Sequence, residues 1–172
     1  MATLRLSKPV LASQHIVPAN PAAAGREETV AQPIPGPLPV RGDVVSCRFP
    51  LAERPDEPGE KARPCVVLNA YDHENLYRRA LMVAYGTSVI GGRQSRTDCV
   101  IEDASELAAA GLHRPTKFVG DRARVLPYNR RYFRANRFGS TVIGSLHEAS
   151  RNALEGADAF MRALISRSST CA

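Results

Sequence analysis

Four short stretches of this 172-residue chain carry side chains able to act on a phosphate. Arg63 stands directly before Pro64 and the apolar run Cys65-Val66-Val67-Leu68, which anchors its backbone while its side chain stays near solvent. A guanidinium held in this way presents parallel N–H donors that match two phosphoryl oxygens. Lys61, two positions earlier, brings a second cation to the same loop end. Gly86-Thr87-Ser88 follows another apolar run, and either hydroxyl there can position a phosphate or donate to a developing oxyanion. His113 precedes Arg114-Pro115, with Lys117 two residues beyond, and an imidazole titrates near neutrality, which suits proton transfer at a substrate rim. Arg93, Gln94, Ser95 and Arg96 follow two glycines and can contact exposed base edges of a single strand, with Tyr71 or Tyr85 available for stacking. Each set also has a purely structural reading: Lys61 and Arg63 as solubilising loop charges, Thr87-Ser88 as a polar strand-ending turn, His113 as a surface histidine.

What the chain lacks narrows the chemistry. No paired Asp/Glu motif competes for the role. Cys47, Cys65, Cys99 and Cys171 are widely spaced and none belongs to a CxxC pair, which argues against a zinc knuckle and against a dense disulfide framework. The formal net charge is +6, and the segment from Arg114 to Arg137 holds eight Arg or Lys residues against one acid, Asp121. That segment alone accounts for the excess. If these charges converge they attract a polyanion and make the encounter salt dependent; if they spread they only solvate a face. The longest apolar runs, such as Leu81 to Tyr85, fall far short of the roughly 20 residues that cross a hydrocarbon layer. Residues 1 to 24 contain no uninterrupted apolar stretch of the kind a secretory signal needs, so the expectation is a cytoplasmic protein with no membrane partner.

The elements that must position these residues read as mainly β. Seven prolines lie between Pro9 and Pro39, and proline removes backbone donors and fixes φ, so residues 1–39 read as a disordered or semi-rigid tail. A single domain is expected over residues 40–167, with a flexible C-terminus at 168–172. Val44 to Phe49 alternates as a strand, with Val45, Cys47 and Phe49 on one face. Residues 51–63 form a charged loop, and 65–68 a strand buried on both sides. A third strand is predicted over 77–85, ended by Gly86, and a short fourth over 99–101. Asp103 and Glu106 have capping-box spacing before a short helix that Gly111 ends. Strands at 116–119 and 122–126 are expected to be joined by a tight Gly120-Asp121 turn, and 141–144 completes the sheet. Ser145 and Glu148 again have capping-box spacing, and Leu146, Ala149, Ala153, Phe160 and Leu164 fit one stripe of a terminal amphipathic helix. Short strands without repeating β-α units favour a small barrel over a doubly wound fold.

In order, these blocks resemble the PemK/MazF-type toxin family. Gly42-Asp43-Val44-Val45 opens a strand, a loop ends in Arg63-Pro64 before Cys65-Val66-Val67-Leu68, and Val83-Ala84-Tyr85-Gly86-Thr87-Ser88 follows. Gly111-Leu112-His113-Arg114-Pro115-Thr116-Lys117-Phe118 and Val142-Ile143-Gly144-Ser145-Leu146 resemble the family's second block and its final strand leading into a helix. The resemblance covers residues 41–165. It implies an SH3-like barrel, a homodimer, and a metal-independent endoribonuclease without cofactor that inhibits growth until a small antitoxin neutralises it. The family's arginine before proline corresponds to Arg63, and its strand-end hydroxyl residue to Thr87 or Ser88, with Thr87 the first choice. The Pro/Ala-rich tail, the acidic first loop around Asp56 and Glu57, and the arginine-rich stretch 128–140 depart from the compact pattern.

On this reading the 2′-OH of single-stranded RNA attacks the adjacent phosphate, giving a 2′,3′-cyclic phosphate and a free 5′-OH. Arg63 holds the phosphate and stabilises its growing charge, and Thr87 or Ser88 orients it. Arginine is a poor general base at its ordinary pKa, so His113 is the titrating alternative. The 51–63 loop can gate access or receive an antitoxin segment. Two other functions fit the same sequence: a non-catalytic RNA- or DNA-binding barrel using Lys117 through Arg137, and a protein-interaction domain with no nucleic-acid role.

Overall fold

Runs of β-branched and other apolar residues, short and bounded by proline or glycine, form strands because their side chains pack on a pleated surface. Here the central runs are apolar on both faces and so must be covered from two sides. A computed structural model describes residues 32–92 and 94–154. Its strands are β1 (Asp43–Cys47), β2 (Arg63–Tyr71), β3 (Ala80–Thr87), β4 (Cys99–Ile101), β5 (Thr116–Pro127) and β6 (Val142–Ser145). Two short helices, α1 (Ala104–Ala109) and α2 (Glu148–Ala153), and a 3₁₀ turn at Leu76–Arg78 complete the described elements. The strands form one antiparallel sheet in the order β4-β5-β3-β2-β1-β6, curled into a half-barrel.

Alternation along β1, β2 and β3 divides the core between the two faces. Val44, Val66, Leu68, Met82 and Ala84 point to one side, where they meet Ile101, Phe118, Leu146 and Leu154. Val45, Cys47, Cys65, Val67, Leu81 and Val83 point to the other, against Ile34, Leu126, Tyr128 and Phe133, with Phe49 packed at the margin. Full burial of a valine- or leucine-sized side chain contributes roughly 1.5–3 kcal/mol, so these two clusters are the main source of stability. Cys47, Cys65 and Cys99 are buried free thiols, and Cys171 lies outside the described residues. The hydrogen bond with Cys65, then burial, pushes the Cys47 thiol far up, while burial raises that of Cys99 to about 11.

Of the expected tail, residues 1–31 lie outside the described residues; residues 32–39 rest on the domain. Ile34 is buried in the second cluster, Pro33 bridges to Asn129, and the Arg130 N–H donates to the Gln32 carbonyl at 2.9 Å. Arg79 holds this stretch from beneath. Its guanidinium, in a side chain only 4 % exposed, donates to the Gly36 carbonyl at 2.8 Å, pairs with Asp72 at 3.0 Å and lies over the Tyr128 ring.

Several boundaries differ from the sequence expectation, among them β2, which extends over Arg63–Tyr71 instead of 65–68. The third strand starts at Ala80, because Asn75 caps the Leu76–Arg78 turn through its side chain, and it runs through Gly86 to Thr87. Segments 116–119 and 122–126 belong to one strand, β5. Its pairing with β3 jumps from Val119 opposite Tyr85 to Arg124 opposite Val83, so Gly120-Asp121 lies in a bulge instead of a hairpin turn. Ser145 does not cap the last helix: it ends β6, where its hydroxyl donates to the Asp43 carboxylate, and α2 starts after His147. Of the proposed stripe, Phe160 and Leu164 lie outside the described residues, as does the C-terminus at 168–172. No helix among the described residues is long and apolar enough to cross a membrane.

Candidate functional site

The first strand pair brings Arg63 to the sheet's end. Cys65 lies opposite Tyr85, and antiparallel counting from that pair sets Pro64 beside Gly86 and Arg63 towards Thr87. Glycine at 86 permits this approach, since a Cβ there would sit 2.5 Å from the Pro64 carbonyl oxygen. The glycine that reads as a strand terminator therefore lies within β3, where the Pro64 carbonyl leaves no room for a Cβ. Its lack of a side chain is what leaves Arg63 and Thr87 at the same sheet end.

Arg63 is fixed by Tyr85. Its Nη1 donates to the Tyr85 hydroxyl at 3.0 Å, and its guanidinium carbon stands 5.6 Å from the ring centroid. Phe49 packs against the same tyrosine ring, 5.6 Å between ring centroids and tilted 43°. Only one of the guanidinium's five N–H donors is used in that bond, so the fork retains donors for an anion. Thr87 is fixed by the turn it begins: its Oγ1 accepts from the Val89 N–H at 3.2 Å, which leaves the hydroxyl hydrogen available to donate.

The opposite wall comes from the segment after α1. The Asp103 carboxylate caps that helix by accepting from the Ser105 and Glu106 N–H groups. Hydrogen bonds, first from the Ser105 hydroxyl, hold this carboxyl below its ordinary pKa. At the helix end Gly111 has φ +66° and lies against the Ile143 carbonyl of β6, closer than any Cβ would allow. This contact seats Gly111-Leu112-His113-Arg114 beside β6. Thr116 Oγ1 then donates to the Arg114 carbonyl at 2.9 Å as the chain enters β5.

Between these walls lies a cleft of about 890 Å³. Arg63, Tyr85, Thr87, Ser88, His113 and Arg114 line it, with Val89, Leu112, Val142 and Ile143 supplying apolar surface and Asn136 also in the lining. Arg63, Ser88, His113 and Arg114 are exposed and Thr87 is half-buried. The arrangement offers two guanidinium groups, the Thr87 and Ser88 hydroxyls and an imidazole around one concavity. Chemically it suits an anion that is held by cations and oriented by hydroxyls.

The other candidates from sequence lie elsewhere. Lys61, Gln94 and Arg96 are exposed but do not line the cleft, and Arg93 lies outside the described residues. Lys117 is only 8 % exposed: it sits within β5, paired to Thr87 on one side and Val100 on the other. One polar cleft residue escaped the sequence reading and another was read only in part. Asn136 sits in an arginine-rich stretch with no pattern to mark it, and Tyr85 was read for stacking alone although it orients Arg63. Among the described residues no group of three or more His, Cys, Asp or Glu side chains converges as a metal site. No protein-family model matches the chain, and no curated protein matches it.

Proposed function

We propose that this protein is an endoribonuclease of the PemK/MazF type, an SH3-like barrel that cleaves single-stranded RNA without a metal. The observation that carries the reading is the convergence of Arg63 with the Thr87 and Ser88 hydroxyls on one cleft. These residues come from two separated sequence blocks, and the proposal required them to meet. Arg63, aimed by Tyr85, binds the scissile phosphate and stabilises the charge that builds as the neighbouring 2′-OH attacks. Thr87 or Ser88 donates to the same phosphate. His113, on the facing wall, takes the 2′-OH proton, and Arg114 holds a flanking phosphate. The P–O5′ bond breaks as the 2′ oxygen bonds to phosphorus, and the departing 5′ oxygen takes a proton from solvent, so the products are a 2′,3′-cyclic phosphate and a 5′-OH.

The same reading makes the protein a cytoplasmic growth inhibitor, a homodimer, and the target of an antitoxin whose acidic or disordered segment occupies the positive cleft. Incubating purified protein with a diverse single-stranded RNA pool in EDTA tests it. Fragments ending in 2′,3′-cyclic phosphate support the reading, and an intact pool refutes it. A second reading, a non-catalytic nucleic-acid-binding barrel, draws on the exposed Arg122, Arg124, Arg130, Arg134 and Arg137 outside the cleft. It predicts salt-dependent binding with no new ends.

A further inference from the structure

Beyond the cleft's edge the chain displays an aromatic ring to solvent on a turn built to hold it. Phe138 is 78 % exposed, more than any other large apolar side chain among the described residues. The turn beneath it is organised by Asn136, which also lines the cleft. The Asn136 side-chain oxygen accepts from the Phe138 N–H at 2.9 Å and from the Ser140 N–H at 3.1 Å. Its backbone N–H donates to the Ser140 carbonyl at 2.7 Å, and its carbonyl accepts from Gly139 at 3.0 Å. Four hydrogen bonds thus centre on one residue that joins cleft and turn.

The ring carries a cation on one face. The Arg137 guanidinium carbon lies 4.7 Å from the Phe138 centroid, nearer than in the three other such pairs, at 5.6, 5.7 and 5.8 Å. Arg134, three residues before Arg137, is exposed as well. A lone exposed phenylalanine needs no function. An aromatic face backed by a guanidinium, beside further arginines and joined to an anion-binding cleft, matches what a nucleic-acid strand presents: a flat base and an adjacent phosphate. A docking protein would be served by a broader apolar surface, whereas the neighbours here, Arg137, Gly139 and Ser140, are polar or lack a side chain.

We propose that Phe138 and Arg137 form a base-stacking platform that holds a nucleotide flanking the one bound at Arg63, the base on the ring and the phosphate on the guanidinium. The proposal rests on the RNA-cleaving reading and names how that site grips its substrate. It also accounts for part of the arginine-rich 128–140 stretch that departs from a compact family pattern.

The test uses the full chain and a labelled oligonucleotide pool with 2′-deoxy sugars, which binds but is not cleaved by a 2′-OH mechanism. Fluorescence anisotropy gives affinity for wild type, Phe138→Ala, Phe138→Trp and Arg137→Ala. Phe138→Ala is expected to weaken binding about tenfold, with Phe138→Trp restoring it, as loss and return of one stacked base require. Replacing single bases by abasic sites should reproduce the loss at one position and add nothing to Phe138→Ala. If Phe138→Ala binds like wild type, the platform is refuted, and cleavage of ribose RNA by that variant leaves the nuclease reading standing. If binding depends on Phe138 but wild type leaves ribose RNA uncut, the platform holds and the nuclease reading falls. A change in oligomeric state on Phe138→Ala, with RNA affinity untouched, assigns the ring to a protein contact and overturns the proposal.

Discussion

The Arg63 guanidinium donates to the Tyr85 hydroxyl at 3.0 Å while lying over the face of the same ring, so one residue sets both its direction and its height above the sheet. An arginine at a strand end would otherwise sample many rotamers. The pairing of Cys65 with Tyr85 across β2 and β3 makes this contact a consequence of strand register, which links the fold directly to the proposed chemistry.

Tyr85→Phe keeps the ring and removes the acceptor. RNA cleavage is expected to fall about tenfold or more, since a hydrogen bond to a charged group is worth about 1.5–3 kcal/mol. The loss should appear in kcat with KM changed by less than about twofold, the pattern of a residue that positions another in the transition state. Steady-state rates on a defined RNA, with a melting curve alongside, check this; a loss confined to melting temperature assigns Tyr85 a structural role only.

Gly86→Ala should destabilise the protein by about 1–3 kcal/mol, because its Cβ would press on the Pro64 backbone and overpacking a tight contact costs that much. Gly91→Ala is the control: nothing lies within 4 Å of a Cβ there, and a change within about 0.5 kcal/mol is expected. Urea unfolding of both variants distinguishes a packing effect from a general cost of alanine.

These glycines also explain where the sequence was legible. Strand β1 was readable because Val45 and Cys47 follow local period-two alternation, β2 because Cys65-Val66-Val67-Leu68 is a short apolar run buried on both faces, and α1 because Asp103 caps it from three residues before Glu106. Gly86 and Gly120 misled because their role is tertiary: one passes the Pro64 carbonyl and the other the Thr97 carbonyl, and neither partner is near in sequence. Ser145 carried a valid capping pattern but was claimed by Asp43, 102 positions away. Arg63, Thr87, Ser88, His113 and Arg114, singled out by residue type and block order, line one cleft. Lys117 shows the limit of that approach, since its charge gave no hint that β3 and β4 flank it.

Arg79→Ala removes the guanidinium that bonds the Gly36 carbonyl and pairs with Asp72. A loss of about 2 kcal/mol is expected from the charged hydrogen bond that holds this segment to the domain. Limited proteolysis should show faster cutting between residues 32 and 39 than in wild type. Equal protection of both proteins would detach this arginine from the docking of Ile34.

Acid should loosen α1 before the sheet. The Asp103 carboxyl is held below its ordinary pKa by the Ser105 hydroxyl and the Glu106 and Ser105 N–H groups, so its contribution is present above the unfolded value of about 3.9. That contribution is lost as pH falls through the lower folded value. Amide exchange at Ser105 and Glu106 should accelerate in that window, and Asp103→Asn, which caps without titrating, should abolish the pH dependence.

The central claim meets its most direct measurement in end mapping of a diverse single-stranded RNA pool in EDTA, with wild type and Arg63→Ala side by side. The account predicts 2′,3′-cyclic phosphate and 5′-OH ends for wild type. For Arg63→Ala it predicts a loss of about a hundredfold or more at unchanged melting temperature. Equal cleavage by the folded Arg63→Ala variant, or an uncut pool with wild type, contradicts it.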